Sequence, residues 1–229
     1  MSRARGDMEP RHLEMVPAGR EGMRLGVARR ALITAGALVA GLLSGCGAAR
    51  PIKFYQLTIP PDARALEKAE AVPVTLLLGT LATSHLYRED RIVYGNGPEQ
   101  LGTYEYQRWA EPPTEMIQEV LLRELRLSGR YRAVHYQRSN MQGDFALRGH
   151  LYDFKELAGG QMLARVTLEL EMRDLKNGAT VWTHYYTHDE PATGKDVPAV
   201  VAALDKNVQR GVKEVVESLD QYFASHPVK

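Results

Sequence analysis

A chain of 229 residues with 29 basic and 28 acidic side chains, a formal net charge of +1 and a single cysteine has room for one domain with a core of its own. The charge balance excludes the basic footprint of a nucleic-acid binder. One cysteine excludes an internal disulfide framework, so stability has to come from packing.

At the N-terminus, Glu9, Glu14 and Glu21 alternate with arginine, glycine and proline. No periodic apolar face appears, so the stretch ahead of Met23 reads as a disordered extension upstream of the effective start. From Met23 the order of elements is that of a bacterial export signal: Arg24, Arg29 and Arg30, an uncharged apolar core from Ala31 to Leu43, then the small residues Ser44 and Gly45 before Cys46. The apolar stretch falls short of the roughly 20 residues of a spanning helix. Gly36, Gly41 and Gly45 also disfavour a buried core helix. Leu43-Ser44-Gly45-Cys46 is therefore read as a lipobox, cleaved between Gly45 and Cys46, with diacylglycerol and an N-acyl chain on Cys46. Several acyl chains hold a membrane firmly where one holds it marginally. Arg29-Arg30 lies in surroundings that match a twin-arginine signal poorly. Gly47 stands where an aspartate would favour inner-membrane retention in Gram-negative sorting, so the expected location is the cell envelope, at the outer membrane facing the periplasm. The expected organisation is residues 1–45 removed, 46–53 as lipidated tether, 54–224 as the domain and 225–229 as a short tail. Once 1–45 are removed, acidic side chains outnumber basic ones by two.

Phe54 to Ile59 is expected to be a first strand before Pro60-Pro61, and 62–71 a loop or short helix. Val72 to Leu78 is a continuous apolar run suited to a central strand buried on both faces. Arg91 to Tyr94 and Leu101 to Gln107 flank Gly95-Asn96-Gly97-Pro98 as a hairpin. After Pro112-Pro113 the spacing turns helical from Thr114, with Met116, Ile117, Val120, Leu121 and Leu125 on one face and Gly129 as the stop.

Phe145, Leu147, Gly149 and Leu151 alternate with Arg148 and His150, and Gly159-Gly160 marks a connection. Val166, Leu168, Leu170 and Met172 then alternate with charged residues and Thr167, and Asn177-Gly178 leads into Thr180 to His188. This predicts three consecutive antiparallel strands. A long helical pattern from Val197 to Phe223 follows, capped by Asp196 with Pro198 in its first turn. The fold class is α+β: a mixed, largely antiparallel sheet with two main helices on one face.

A search for chemistry finds no catalytic residue, cofactor cradle or phosphate loop. His184 and His188 on a strand stand about 13 Å apart at 3.3 Å per residue, too far to share an ion, so no metal site is expected and the pair reads as an exposed strand face.

Tyr55-Gln56-Leu57 after the lipidated cysteine, the arm Arg91-Ile92-Val93-Tyr94 and above all Arg108-Trp109-Ala110-Glu111-Pro112 leading into a helix resemble the ABC-type transport auxiliary lipoproteins. The resemblance covers essentially the whole chain after Cys46. It implies a domain similar to the N-terminal domain of the Tol translocation protein. It also implies a non-catalytic periplasmic accessory, whose partners are an MCE-domain protein and its ABC transporter, moving phospholipid or other lipid between membranes. An outer-membrane assembly or secretion lipoprotein with a similar small domain is the alternative. Tyr104, Tyr106, Arg108 and Trp109 are of the types enriched in binding hot spots, which makes them candidate partner contacts. The same residues read equally as a structural corner, with Trp109 packed under the helix and Arg108 paired with Glu111 or Glu115.

Overall fold

The computed structural model describes residues 50–61, 72–95, 97 and 99–228. The extension, the export signal and its cleavage point at Gly45 and Cys46, and the expected loop or helix at 62–71 lie outside the described residues. Residues Arg50–Lys229 form one compact unit.

Among the described residues, eight strands and two long helices follow in order: β1 (Lys53–Tyr55), β2 (Val72–Thr83), a 3-10 turn (His85–Tyr87), β3 (Arg91–Gly95), β4 (Leu101–Trp109), α1 (Pro113–Leu127), β5 (Tyr131–Tyr136), β6 (Phe145–Leu157), β7 (Leu163–Asp174), β8 (Thr180–Pro191) and α2 (Val197–Ser225). The sheet is mixed. β3–β4, β6–β7 and β7–β8 are antiparallel, whereas β1–β4, β2–β5, β2–β6 and β3–β6 are parallel. The long ladders are the antiparallel ones, β6–β7–β8, as the period-two pattern requires.

β6 organises the whole sheet. One of its edges pairs with β7 along its full length; the other carries β2 beside Phe145–Leu151 and then β3 beside Lys155–Leu157. β2 and β3 are thus successive partners on one edge, separated by the 3-10 turn. A bulge makes this possible: Leu151 and Asp153 on β6 oppose the adjacent Leu168 and Thr167 on β7. The extra residue, Tyr152, shifts the inward side chains of β6 from odd positions (Leu147, Leu151) to even ones (Phe154, Glu156).

Both helices cover one face of the sheet, α1 over β2 and β5, and α2 over β7 and β8, with the helices in contact. α1 starts with Pro113 at its first turn and buries Met116, Ile117, Val120, Leu121 and Leu125. It ends at Gly129, whose φ of 60° is the left-handed stop that glycine tolerates. α2 is capped by Asp196, whose carboxylate accepts from the Ala199 N–H at 3.0 Å. Its buried row of Val200, Leu204, Val208, Val212, Val215 and Leu219 follows the three-four spacing. Gly211 lets this helix sit close to the sheet, because a Cβ there would fall 2.7 Å from Cε1 of Tyr186. The core holds no gap for a methyl at that point.

Among the described residues no helix is long and apolar enough to cross a membrane. The first segment is pinned to the last helix: Thr58 donates from N and Oγ1 to Asp205 at 2.8 and 2.7 Å, and Gln209 Nε2 donates to Thr58 O at 2.8 Å. Leu57 beside it is buried.

Three expectations need correcting. The first strand spans Lys53–Tyr55 instead of Phe54 to Ile59, because Leu57 and Thr58 turn away from the sheet toward α2. β2 runs on to Thr83, five residues beyond its apolar run. β5 was not anticipated at all: its burial does not alternate, with Tyr131 and Val134 buried three positions apart.

Candidate functional site

The region singled out by sequence, the β3–β4 arm, is built around a buried corner. Trp109 ends β4 and is only 1% exposed, its ring centroid 5.2 Å from that of Phe154. The parity change on β6 is what turns Phe154 toward it. The corner is tied to the preceding turn by the main chain, with Trp109 N–H donating to Asp90 O and Ala110 N–H donating to Tyr55 O, both at 2.6 Å. Trp109 Nε1 is buried without a hydrogen-bond partner. The indole therefore contributes burial and ring contact to the fold and has no surface to offer a partner; as a partner contact it is corrected to a core residue.

Arg108 points the other way and donates from Nη1 to both oxygens of Asp90 at 2.9 and 3.2 Å. This replaces the expected pairing with Glu111 or Glu115. Glu111 stands just before Pro112-Pro113 and Glu115 in the first turn of α1, outside the strand pairing, whereas the β3–β4 register brings the start of β3 beside Arg108. Tyr104 is half-buried, its ring tilted against that of Tyr94 with centroids 4.9 Å apart, and donates to Glu156 Oε2 at 2.7 Å. Burial, reinforced by that carboxylate, pushes its phenol far above the ordinary range. Glu156, 1% exposed, thereby gains a donor in the interior. Tyr106 is the most exposed of the four at 37%. Its phenol is raised by a hydrogen bond to Glu105, with Arg50 opposing the shift electrostatically. The four residues thus divide: Trp109 and Tyr104 are structural, Arg108 braces the turn, and Tyr106 faces solvent.

The histidine pair lies on the helix-facing side of β8, not on its exposed face. His184 is stacked on Trp182 at 5.8 Å with its Nε2 buried and unpartnered, and His188 Nε2 lies 3.3 Å from Glu190 Oε2. Trp182 and Tyr186 share that side, which is why α2 half-covers both histidines. Among the described residues no group of three or more His, Cys, Asp or Glu is placed to hold a metal ion.

Glu190 is the charged centre that sequence reading missed. It is 3% exposed and accepts from Lys206, from Arg210 at 2.9 Å and from the His188 ring. The Lys206 ammonium, helped by the other two, holds its carboxyl below the usual range against the opposing effect of burial. Beside it Asn207, fully buried, donates to the carbonyls of Ala164 and His188, each at 2.8 Å, and accepts from the Tyr186 hydroxyl. Lys206, Asn207 and Arg210 spaced three and four apart on α2 were the available signal. These are bracing networks between helix and sheet. A surface hollow of about 370 Å³ beside α1, β2 and the end of β5 is lined by Leu78, Thr80, Glu115, Gln118, Tyr136, Gln137 and Arg138.

Comparison with known proteins agrees with this architecture. The crystal structure of a Xanthomonas campestris protein of a DUF330 family superposes with a TM-score of 0.63 at 20% identity, covering 74% of this chain and 98% of that one. A second solved structure, of an uncharacterised protein, gives a TM-score of 0.59 at 13% identity over 74% and 99%. At these identities the likeness is one of fold. No curated protein matches the chain. The profile of the ABC-type transport auxiliary lipoprotein component matches residues 55–216, from β1 into the last third of α2, so this chain belongs to that family of cell-envelope lipoproteins.

Proposed function

We propose that the protein is a lipid-anchored, non-catalytic accessory of an MCE-type ABC transport system that supports movement of phospholipid or other lipid between the inner and outer membranes. The observation that carries this reading is the family match across nearly the whole folded domain, joined to the lipobox ending at Cys46. The polar groups of the described interior also support it, because Glu156 is bonded across the sheet and Glu190 and Asn207 brace α2 against the sheet. Acyl chains on Cys46 hold the protein at the outer membrane facing the periplasm, where Gly47 leaves the export machinery without a retention residue.

Affinity purification of the native lipoprotein in mild detergent tests the partner. Recovery of an MCE-domain protein with its transporter is expected; recovery of a β-barrel or secretion pore alone would replace this reading with an assembly role. Cys46→Ser tests the anchor: the variant is expected to stay unprocessed and to lose stable lipidation, and normal processing with membrane retention would refute it.

A further inference from the structure

The outer edge of β1 combines three features that its place in the chain brings to one spot. First, it is apolar and open: Ile52 is 47% and Phe54 63% exposed, at the very start of a domain whose interior is otherwise well filled. Phe54 pairs in register with Arg108 on β4, and continuing that register places Ile52 beside the exposed Tyr106. Second, β1 is an edge strand hydrogen-bonded to β4 alone among the described strands. Its outer main-chain groups need water or another polar layer. Third, Arg50 and Lys53 are exposed alongside, giving the basic and aromatic mixture of an interfacial surface.

Chain length identifies what this edge meets. Three residues separate Cys46 from Arg50, and the four steps between them, at 3.3 to 3.6 Å each, span at most about 14 Å. The headgroup layer of a bilayer is itself about 5 to 8 Å thick on each side. The strand is also not loosely hung, because Leu57 is buried and Thr58 is clamped by Asp205 and Gln209 on α2. An anchor in the membrane therefore holds this edge of the domain at the lipid surface.

Resting on the anchor reading above, we infer that the β1 edge lies in the headgroup layer of the membrane that holds the acyl chains, with Ile52, Phe54 and Tyr106 inserted among lipids and Arg50 and Lys53 paired with phosphates. The domain is then held at two points, and its sheet has a fixed orientation to the bilayer. β8 stands at the far side, five strands away, about 24 Å at 4.8 Å per strand.

The test uses the full lipidated protein in phosphatidylethanolamine and phosphatidylglycerol vesicles containing a headgroup spin-labelled lipid. Acylation consumes the Cys46 thiol, so Phe54→Cys and, separately, Tyr185→Cys on β8 each take a single bimane label. Flotation with the vesicles reports the anchor, and quenching on the floated protein reports the edge. The expected result is severalfold stronger quenching at position 54 than at 185. With the label moved to Tyr106→Cys, adding Ile52→Glu is expected to reduce quenching while flotation persists. Floated protein with equal quenching at 54 and 185, or none at 54, would overturn the inference and leave the edge to a protein partner or a second copy. Protein that fails to float would sink the anchor and the inference together.

Discussion

The two ends of the sheet are built on different terms. The β6–β7–β8 end consists of strands of twelve or thirteen residues in continuous antiparallel ladders under α2. The β1–β4–β3 end consists of strands of three, nine and five residues, partly parallel, with exposed Phe54, Tyr106 and Tyr94. One end is closed by its own helix and its side chains answer to packing. The other is held at the buried Trp109 corner and gathers exposed Ile52, Phe54 and Tyr106 around one edge strand, where the exposed Tyr152 and Tyr185 of the first end stand on separate long strands.

Removing the corner is the strongest way to break this contrast. Trp109→Ala is expected to lower unfolding free energy by about 3 to 5 kcal/mol, measured by urea denaturation with the shape of the curve checked for a separate transition. If the loss were small, the β1–β4–β3 end would not depend on the Trp109–Phe154 contact. Next comes the brace at the other end. Asn207→Ala leaves the Ala164 and His188 carbonyls without their donor and is expected to cost about 2 to 3 kcal/mol, with faster amide exchange confined to β7, β8 and α2. Gly211→Ala pushes a methyl into the Tyr186 ring and should cost about 1 to 3 kcal/mol by the same assay.

Acid separates the ends further. Because the folded state holds the Glu190 carboxyl below its ordinary value, its contribution is complete above the unfolded glutamate value of about 4.3. It is lost as pH falls through the lowered folded value, where the unfolded chain binds the proton more readily. Thermal melts of Glu190→Gln at neutral pH and near pH 3 are expected to differ less than those of the native chain. An unchanged difference would place the acid sensitivity elsewhere, for instance in Asp189, which Arg165 holds low in the same way. The smallest effect belongs to the half-buried Arg108–Asp90 pair: Asp90→Asn is expected to cost at most about 1 kcal/mol, and a larger loss would show the turn before β3 to be as critical as Trp109.

Legibility in the sequence followed the same divide. β7 was readable because one side of it is dry and the other wet, and α1 and α2 because their apolar rows run unbroken between proline starts and a capped or glycine-ended turn. β6 was readable only to Leu151, since the bulge at Tyr152 reverses its parity and the second half no longer continues the first. β5 escaped because Tyr131 and Val134 do not alternate and its pairing partner β2 is parallel and distant in sequence. Trp109 was legible as a buried corner, but not the residue it packs on, because Phe154 lies 45 positions later on the shifted half of β6.

The clamp between Thr58 and the Asp205–Gln209 turn of α2 joins positions 147 and 151 residues apart. A chain made from its N-terminus presents Thr58 long before α2 exists, so the first segment waits unfastened until the final helix has formed. A truncation of α2 would thus be felt first at β1, at the opposite end of the chain from the deletion.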